Sequence, residues 1–304
     1  MAVKVVRSAN IMGATFAVEM YGSARVQLER AGDLALAEAR RTDHLLSNYR
    51  PDSELSLVNQ DAARMPVRVS QEFFDLLSGC LAVSRESEGT FDLTVGPLMK
   101  VWGFFKDSGH LPSAQAVQTG LRGVGYQNVE LDRAHRTVHF KQAGIELDPG
   151  GLGKGYAVDR MAAVLRRERV PAALISAGGS SIFGLGTPPG HAKGWRIHIA
   201  DPRNEKKTAA DVYLKDGSLS TSGSYEKFFW ADGKVYSHIM DPRSGYPAQG
   251  MLAVSVLSRR TLDSEIWAKP YFILGRDWTQ RHKPAGFAVL MCLDQPGAAC
   301  AWLP

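Results

Sequence analysis

Apolar and polar positions alternate from Val3 to Tyr21 on either side of Met12-Gly13, which predicts a strand pair turned at that dipeptide. The period then changes. Between Ala24 and Leu46, the residues Leu28, Leu34, Leu36, Ala39 and Leu45 recur at helical spacing and predict one buried stripe. A turn-rich break follows at residues 47–53, with Asp52 or Ser53 placed to cap a short helix. A second long helix fits residues 71–86, carrying Phe73, Phe74, Leu77, Leu81 and Val83, and a third fits 113–124. Strands fit 128–131, 137–140 and 144–147, ahead of a glycine-rich loop and a helix from about Gly155 to Arg169. Residues 172–175 read as a buried strand entering a turn at Gly178-Gly179. Further strands fit 195–200, 211–214, 234–239 and 252–257, then a helix over 261–275 despite Pro270, and a late strand at 285–292. Helices and strands are interleaved without strict alternation, so the expected class is α+β, with mixed sheets. Neither an internal repeat nor a low-complexity linker divides residues 1–304, which read as one domain of two intimately joined subdomains.

Composition narrows the function classes. A hydrophobic fraction of 44% and a charged fraction of 22% describe an ordinary globular chain. The net charge of +5 suits a phosphorylated ligand, but the basic residues are scattered and their densest runs include acids. Nucleic acid is therefore not an expected partner. No stretch is apolar for long enough to span a bilayer. The opening Met-Ala-Val-Lys-Val-Val-Arg lacks the apolar core of a secretory signal, which gives a cytoplasmic expectation for the chain as it stands. Three cysteines make no disulfide framework. Cys80 falls in an apolar helical stretch, while Cys292 and Cys300 flank a turn and are expected to remain thiols in a reducing compartment.

The most informative local feature is Asp148-Pro149-Gly150-Gly151-Leu152-Gly153-Lys154-Gly155-Tyr156-Ala157-Val158-Asp159. A strand ends, glycines allow close approach to a ligand, and a helix begins with unpaired amides. Such a terminus favours phosphate, and Lys154 adds a point charge. The string has neither Walker A spacing nor a G-x-G-x-x-G fingerprint, so by itself it is equally a tight structural turn.

Motifs elsewhere give it a context. Met12-Gly13 with Thr15 opens the series. Leu46-Ser47-Asn48-Tyr49 follows, with Ser53-Glu54-Leu55-Ser56 and Asn59. Next come Thr90-Phe91-Asp92-Leu93-Thr94-Val95-Gly96-Pro97-Leu98 and Trp102-Gly103-Phe104. After the Asp148 loop stand Ala177-Gly178-Gly179, Thr221-Ser222-Gly223 and His238-Ile239-Met240-Asp241-Pro242-Arg243-Ser244-Gly245-Tyr246-Pro247. In this order, over nearly the whole chain, they resemble the FAD:protein FMN transferase family (ApbE-like, formerly thiamine biosynthesis lipoproteins).

The resemblance implies an ApbE-like fold that binds FAD and, with a divalent metal, usually Mg2+, moves FMN onto a threonine or serine hydroxyl of a partner flavoprotein while AMP leaves. By that resemblance Met12, Tyr49, Thr90, Phe91, Asp92, Asp148, Lys154 and Ile239 line the FAD site. His238 is the candidate proton acceptor, and Asp241 either orients it or binds ligand. Each has a plainer reading beside it: Phe91 as core, His238 as a turn histidine, and Trp102-Gly103-Phe104 as packing. Members of the family are often periplasmic.

The pattern breaks at the expected metal. There the family carries A-D-A-L-[AS]-T on a late helix, whose Asp and Thr hold the ion together with a carbonyl of the glycine loop. Here the stretch reads Ser264-Glu265-Ile266-Trp267-Ala268-Lys269-Pro270, which puts Glu265 at the Asp position and Lys269 at the Thr position. Gly151 would supply the carbonyl. A protonated lysine is not a metal ligand. Two expectations follow: either Lys269 sits where the metal would, held by Glu265, or it turns outward and a changed metal site survives. Three functions stay open, namely a flavin transferase, a non-catalytic FAD-binding protein and an FAD pyrophosphatase.

Overall fold

The computed structural model of the chain describes residues 2–106 and 109–304. Its frame is an eight-stranded antiparallel sheet in which each strand lies beside the next of its members along the chain. The strands run Val3–Ile11, Ala14–Gly22, Ala172–Ala177, Ser181–Leu185, Gly217–Gly223, Met251–Ser258, Ala288–Leu293 and Ala301–Trp302. The first pair turns at Met12-Gly13, as the alternation predicts, with φ of 51° and 69° at those residues. Everything else is inserted between neighbours of this meander.

The longest insertion lies between the second and third strands. It holds helices α1 (Arg25–Leu46), α2 (Glu54–Asp61), α3 (Gln71–Glu86), α4 (Gly96–Val101), α5 (Ala114–Leu121) and α6 (Gly153–Arg167), with a small three-stranded sheet. Ser53 caps α2 by accepting from the Ser56 amide, and Ser113 does the same for α5. Leu28, Leu36, Ala39 and Leu45 of α1 are buried as expected, but Leu34 is exposed because it lies off the stripe set by Ala31, Ala35 and Thr42. A core of Phe16, Val18, Met20, Met161 and Leu165 joins α1 and α6 to the first strands. A second core, from Phe73, Phe74, Leu77, Phe140 and Leu147, fills the inserted lobe.

Helix α7 (Thr261–His282) connects the sixth and seventh strands and packs on the sheet through Trp267, Tyr271 and Phe272. It continues through Pro270 and breaks at Gly275, whose φ of 76° and ψ of −169° suit a residue without Cβ. No helix among the described residues is long and apolar enough to cross a membrane.

Three expectations change. Residues 144–147 pair with no strand. The Leu147 amide and carbonyl are both bound by the Asn59 side chain, and the Glu146 carbonyl accepts from Gly96, so side-chain and loop partners replace a ladder. Strands Ser181–Leu185 and Gly217–Gly223 were not expected, because their serines and glycines hide the apolar pattern. Cys292 and Cys300 form a disulfide, since the turn between them returns the chain to the adjacent edge strand.

Helices α6 and α7 cross at Gly155, where an added Cβ would stand 2.5 Å from the Glu265 carboxylate and 2.6 Å from the Thr261 carbonyl. Backbone cannot yield there as a flexible side chain would. Gly155→Ala is expected to lower unfolding stability by about 1–3 kcal/mol, as overpacking does, with urea denaturation as the check; an unchanged midpoint would mean that the helices can part without cost.

Candidate active site

The crossing of α6 and α7 carries two reciprocal caps. Helix α6 has no side-chain cap of its own at Leu152, and α7 has none at Arg260. Instead the Glu265 carboxylate of α7 accepts from the Gly155 amide in the first turn of α6. Asp159 of α6 accepts from the Thr261 and Leu262 amides at the start of α7, at 2.7 and 3.0 Å. Each carboxylate thus meets the positive end of the other helix. Glu265 is almost fully buried, at 3% exposure, so its charge is compensated by that amide and its surroundings rather than by water.

With Glu265 turned to α6, Lys269 one turn later finds backbone. Its Nζ donates to the Gly151 carbonyl at 3.0 Å and to the Glu265 carbonyl at 2.9 Å. Lys154, in the first turn of α6, donates to the Ser180 hydroxyl. Both ammonium groups therefore have neutral hydrogen-bond partners. Burial, reinforced by the charge of Lys154 and opposed by Glu265 and Glu226, brings the Lys269 pKa down to about 8. It remains mostly protonated at neutral pH.

These groups line a pocket with about 860 Å³ of space, part of it open to solvent. Of the expected FAD residues, Thr90, Phe91, Asp92, Asp148, Lys154 and Ile239 all border it, as does His238. The Phe91 ring comes within 3.3 Å of where a Cβ on Gly151 would stand, so the glycine loop and the ring form one wall. Asp92 and Asp148 are engaged internally. Asp92 accepts from the Thr94 amide and hydroxyl and the Tyr126 amide, Asp148 from the Gly150 amide and Asn48. Burial raises the pKa of both above the usual carboxylate range.

The expected amide cradle is smaller than the sequence suggests. Gly150 donates to Asp148, Leu152 and Gly153 to the Pro149 carbonyl, and Gly155 to Glu265. Among the described residues, only the Gly151 and Lys154 amides of this turn have no acceptor. Positive charge at the pocket therefore comes mainly from ammonium groups.

His238 is half-buried on the opposite wall, and its Nδ1 faces the Lys227 carbonyl at 3.3 Å. A carbonyl accepts only, so Nδ1 carries the proton and Nε2 is the basic nitrogen. Burial first, then the charges of Lys269, Lys227 and Lys154, hold the imidazole down to about 4. Asp241 does not orient it. Its carboxylate is bound by the Arg243 amide and guanidinium at 2.9–3.0 Å, and it does not border the pocket.

Met12 and Tyr49 also lie outside the lining. The Met12 sulfur sits near Gly153, over the start of α6. Tyr49 is 69% exposed and stacks on Phe105 at 4.8 Å, while its neighbour Asn48 reaches Asp148. Trp102 packs, as expected, donating to the Gly245 carbonyl. Sequence reasoning missed Ser180, Ser181 and Glu226. The motif Thr221-Ser222-Gly223 was visible, but its pocket-lining hydroxyls were not singled out.

Comparison with known proteins fits this arrangement. The sequence profile of the ApbE family matches residues 12–290. The chain belongs to the ApbE family. A relative from Klebsiella pneumoniae, named FAD:protein FMN transferase, is 34% identical over 270 residues, covering 88% of this chain and 82% of its own. One of the same name from Treponema pallidum is 33% identical over 250 residues, covering 78% and 69%. The crystal structure of the ApbE protein from Thermotoga maritima superposes with a TM-score of 0.90 at 27% identity, covering 98% of this chain and 96% of that one. The apo flavinyl transferase ApbE of Pseudomonas stutzeri gives 0.85, also at 27% identity, covering 99% and 94%.

The metal expected for an ApbE protein does not fit these residues. Gly151 O already accepts from the Lys269 ammonium, and the Glu265 carboxylate accepts from the Gly155 amide. Magnesium needs a near-octahedral oxygen shell. A dication about 4 Å from an ammonium would be repelled by roughly 8 kcal/mol at an effective dielectric of 20, twice the value for unit charges. The expectation that Lys269 sits beside Gly151 agrees with the geometry, but Glu265 holds it by its carbonyl rather than its carboxylate.

A histidine whose folded pKa lies below its unfolded value of 6.5 favours the fold above pH 6.5, and that contribution falls away as pH drops toward 4. Histidine-selective NMR of the ligand-free protein is expected to give a His238 midpoint near 4. A midpoint at 6.5 would mean that neither burial nor the lysine charges act on the ring.

Proposed function

We propose that this chain binds FAD in the pocket and transfers its FMN portion to a serine or threonine hydroxyl of a partner flavoprotein, with AMP leaving. The observation that carries the reading is the pair of ammonium groups, Lys154 and Lys269, lining one pocket with neutral partners only. Neither ammonium is hydrogen-bonded to a carboxylate, and a diphosphate supplies charged acceptors for both. The curated relatives named FAD:protein FMN transferase support the choice of dinucleotide. Phe91, Val95, Met99 and Ile239 give the same pocket an apolar wall suited to a flat ring.

The chemistry assigned to these residues is one displacement. The acceptor oxygen attacks the FMN-side phosphorus, the bond from that phosphorus to the bridging oxygen breaks, and AMP departs with the electron pair. Lys154 and Lys269 offset the charge on the diphosphate. The hydroxyl proton passes to His238 Nε2. A bound diphosphate also offsets the lysine charges that depress the imidazole, so His238 becomes a stronger base once FAD is present. For compartment, the Cys292–Cys300 disulfide supports an oxidising setting over the cytoplasmic one expected from the N-terminus.

The altered metal position favours one second reading, a protein that holds FAD without transferring it. Mass spectrometry of an acceptor protein incubated with FAD separates the two. The transferase reading expects an FMN adduct, free AMP, and a rate about 100-fold lower in Lys154→Ala, a usual loss for a charge-stabilising group. Bound FAD with neither product leaves the binder, and no bound FAD removes both.

A further inference from the structure

We propose that the site takes up the diphosphate of FAD without a divalent cation, the Lys269 ammonium standing in the cation's place. This rests on the pocket being the FAD site. Three observations converge. The Gly151 carbonyl, the loop oxygen available to a cation, already accepts from Lys269 at 3.0 Å. Two of the carboxylates that border the pocket already accept hydrogen bonds, Glu265 from the Gly155 amide and Asp148 from Gly150 and Asn48, while Glu226 borders it as well and acts on Lys269. A third donor of the Lys269 ammonium remains after the two carbonyls are served, and the side chain borders the pocket.

The arrangement is built in rather than incidental. Gly155 lets α7 approach until Glu265 reaches the α6 amide, which commits one of its two carboxylate oxygens to the backbone. The lysine one turn on is then held by two carbonyls from two different segments, which fixes its charged end without neutralising it. A monovalent point charge attracts phosphate oxygens and, unlike an octahedral ion, does not require six oxygen ligands.

The test is a calorimetric titration of the wild-type protein with FAD, once in EDTA and once in millimolar magnesium. Affinities within about two-fold of each other are expected, because the metal has no place to act. Binding that strengthens about ten-fold or more with magnesium overturns the inference and leaves the FAD site standing. No binding under either condition overturns the FAD site and the inference together. Two variants, checked for folding by circular dichroism, sharpen the result. Lys269→Thr is expected to lose about ten-fold in affinity in EDTA and to regain it with magnesium, whereas Lys269→Met loses it under both conditions. Wild-type affinity for Lys269→Met in EDTA would show that the ammonium is not the counter-charge. If neither variant folds, the wild-type titration alone decides.

Discussion

The mutual capping of α6 and α7 is the constraint on which the site depends. Each helix starts without a cap from its own sequence neighbours and receives one from the other: Glu265 for α6, Asp159 for α7. Caps are individually modest, about 0.5–2 kcal/mol each. Their geometric effect is larger, because two opposed caps fix both the distance and the register of the crossing. Gly155 is the condition for it, since a methyl group there would occupy the space of the carboxylate.

That crossing sets the electrostatics of the pocket. Because Glu265 is committed to an amide, Lys269 is left with carbonyls; it feels the charge of Lys154, and its own charge acts on His238. The ligand-free pocket therefore holds two ammonium groups without a hydrogen-bonded carboxylate, and its histidine is weakly basic. An anion entering it would relieve both conditions at once. Binding and base strength are linked through the same two lysines, and no movement of the chain is needed to link them.

Much of the frame could be read directly. The Val3–Tyr21 alternation, the Leu28–Leu45 stripe and the Ser53 cap all follow from local period and turn chemistry, and the structure has each of them. Residues 144–147 misled because Ile145 and Leu147 alternate with Glu146 as in a strand whatever partners the backbone, and here the partner of Leu147 is the Asn59 side chain, 88 positions away. Ser181–Leu185 and Gly217–Gly223 were hidden for the converse reason: small polar residues are buried where hydroxyls bond one another, as Ser218, Ser220 and Ser264 do beneath α7.

The site was legible to the level of segments but not of bonds. Glycine spacing and Lys154 marked the loop, yet no local rule says that Asp148, Pro149 and Glu265 take most of its amides. The four-residue spacing of Glu265 and Lys269 suggested a side-chain ion pair, whereas the buried α6 terminus is the stronger claimant for the carboxylate. Asp241 was expected to orient His238 or to bind ligand, whereas Arg243 lies two residues on and offers it a bidentate partner. The most direct measurement is an anomalous difference map from crystals grown with FAD and manganese. The account predicts the diphosphate within hydrogen-bond distance of Lys154 and Lys269, and no manganese between the Gly151 carbonyl and Glu265. An ordered manganese at that point, with Lys269 displaced, would contradict it.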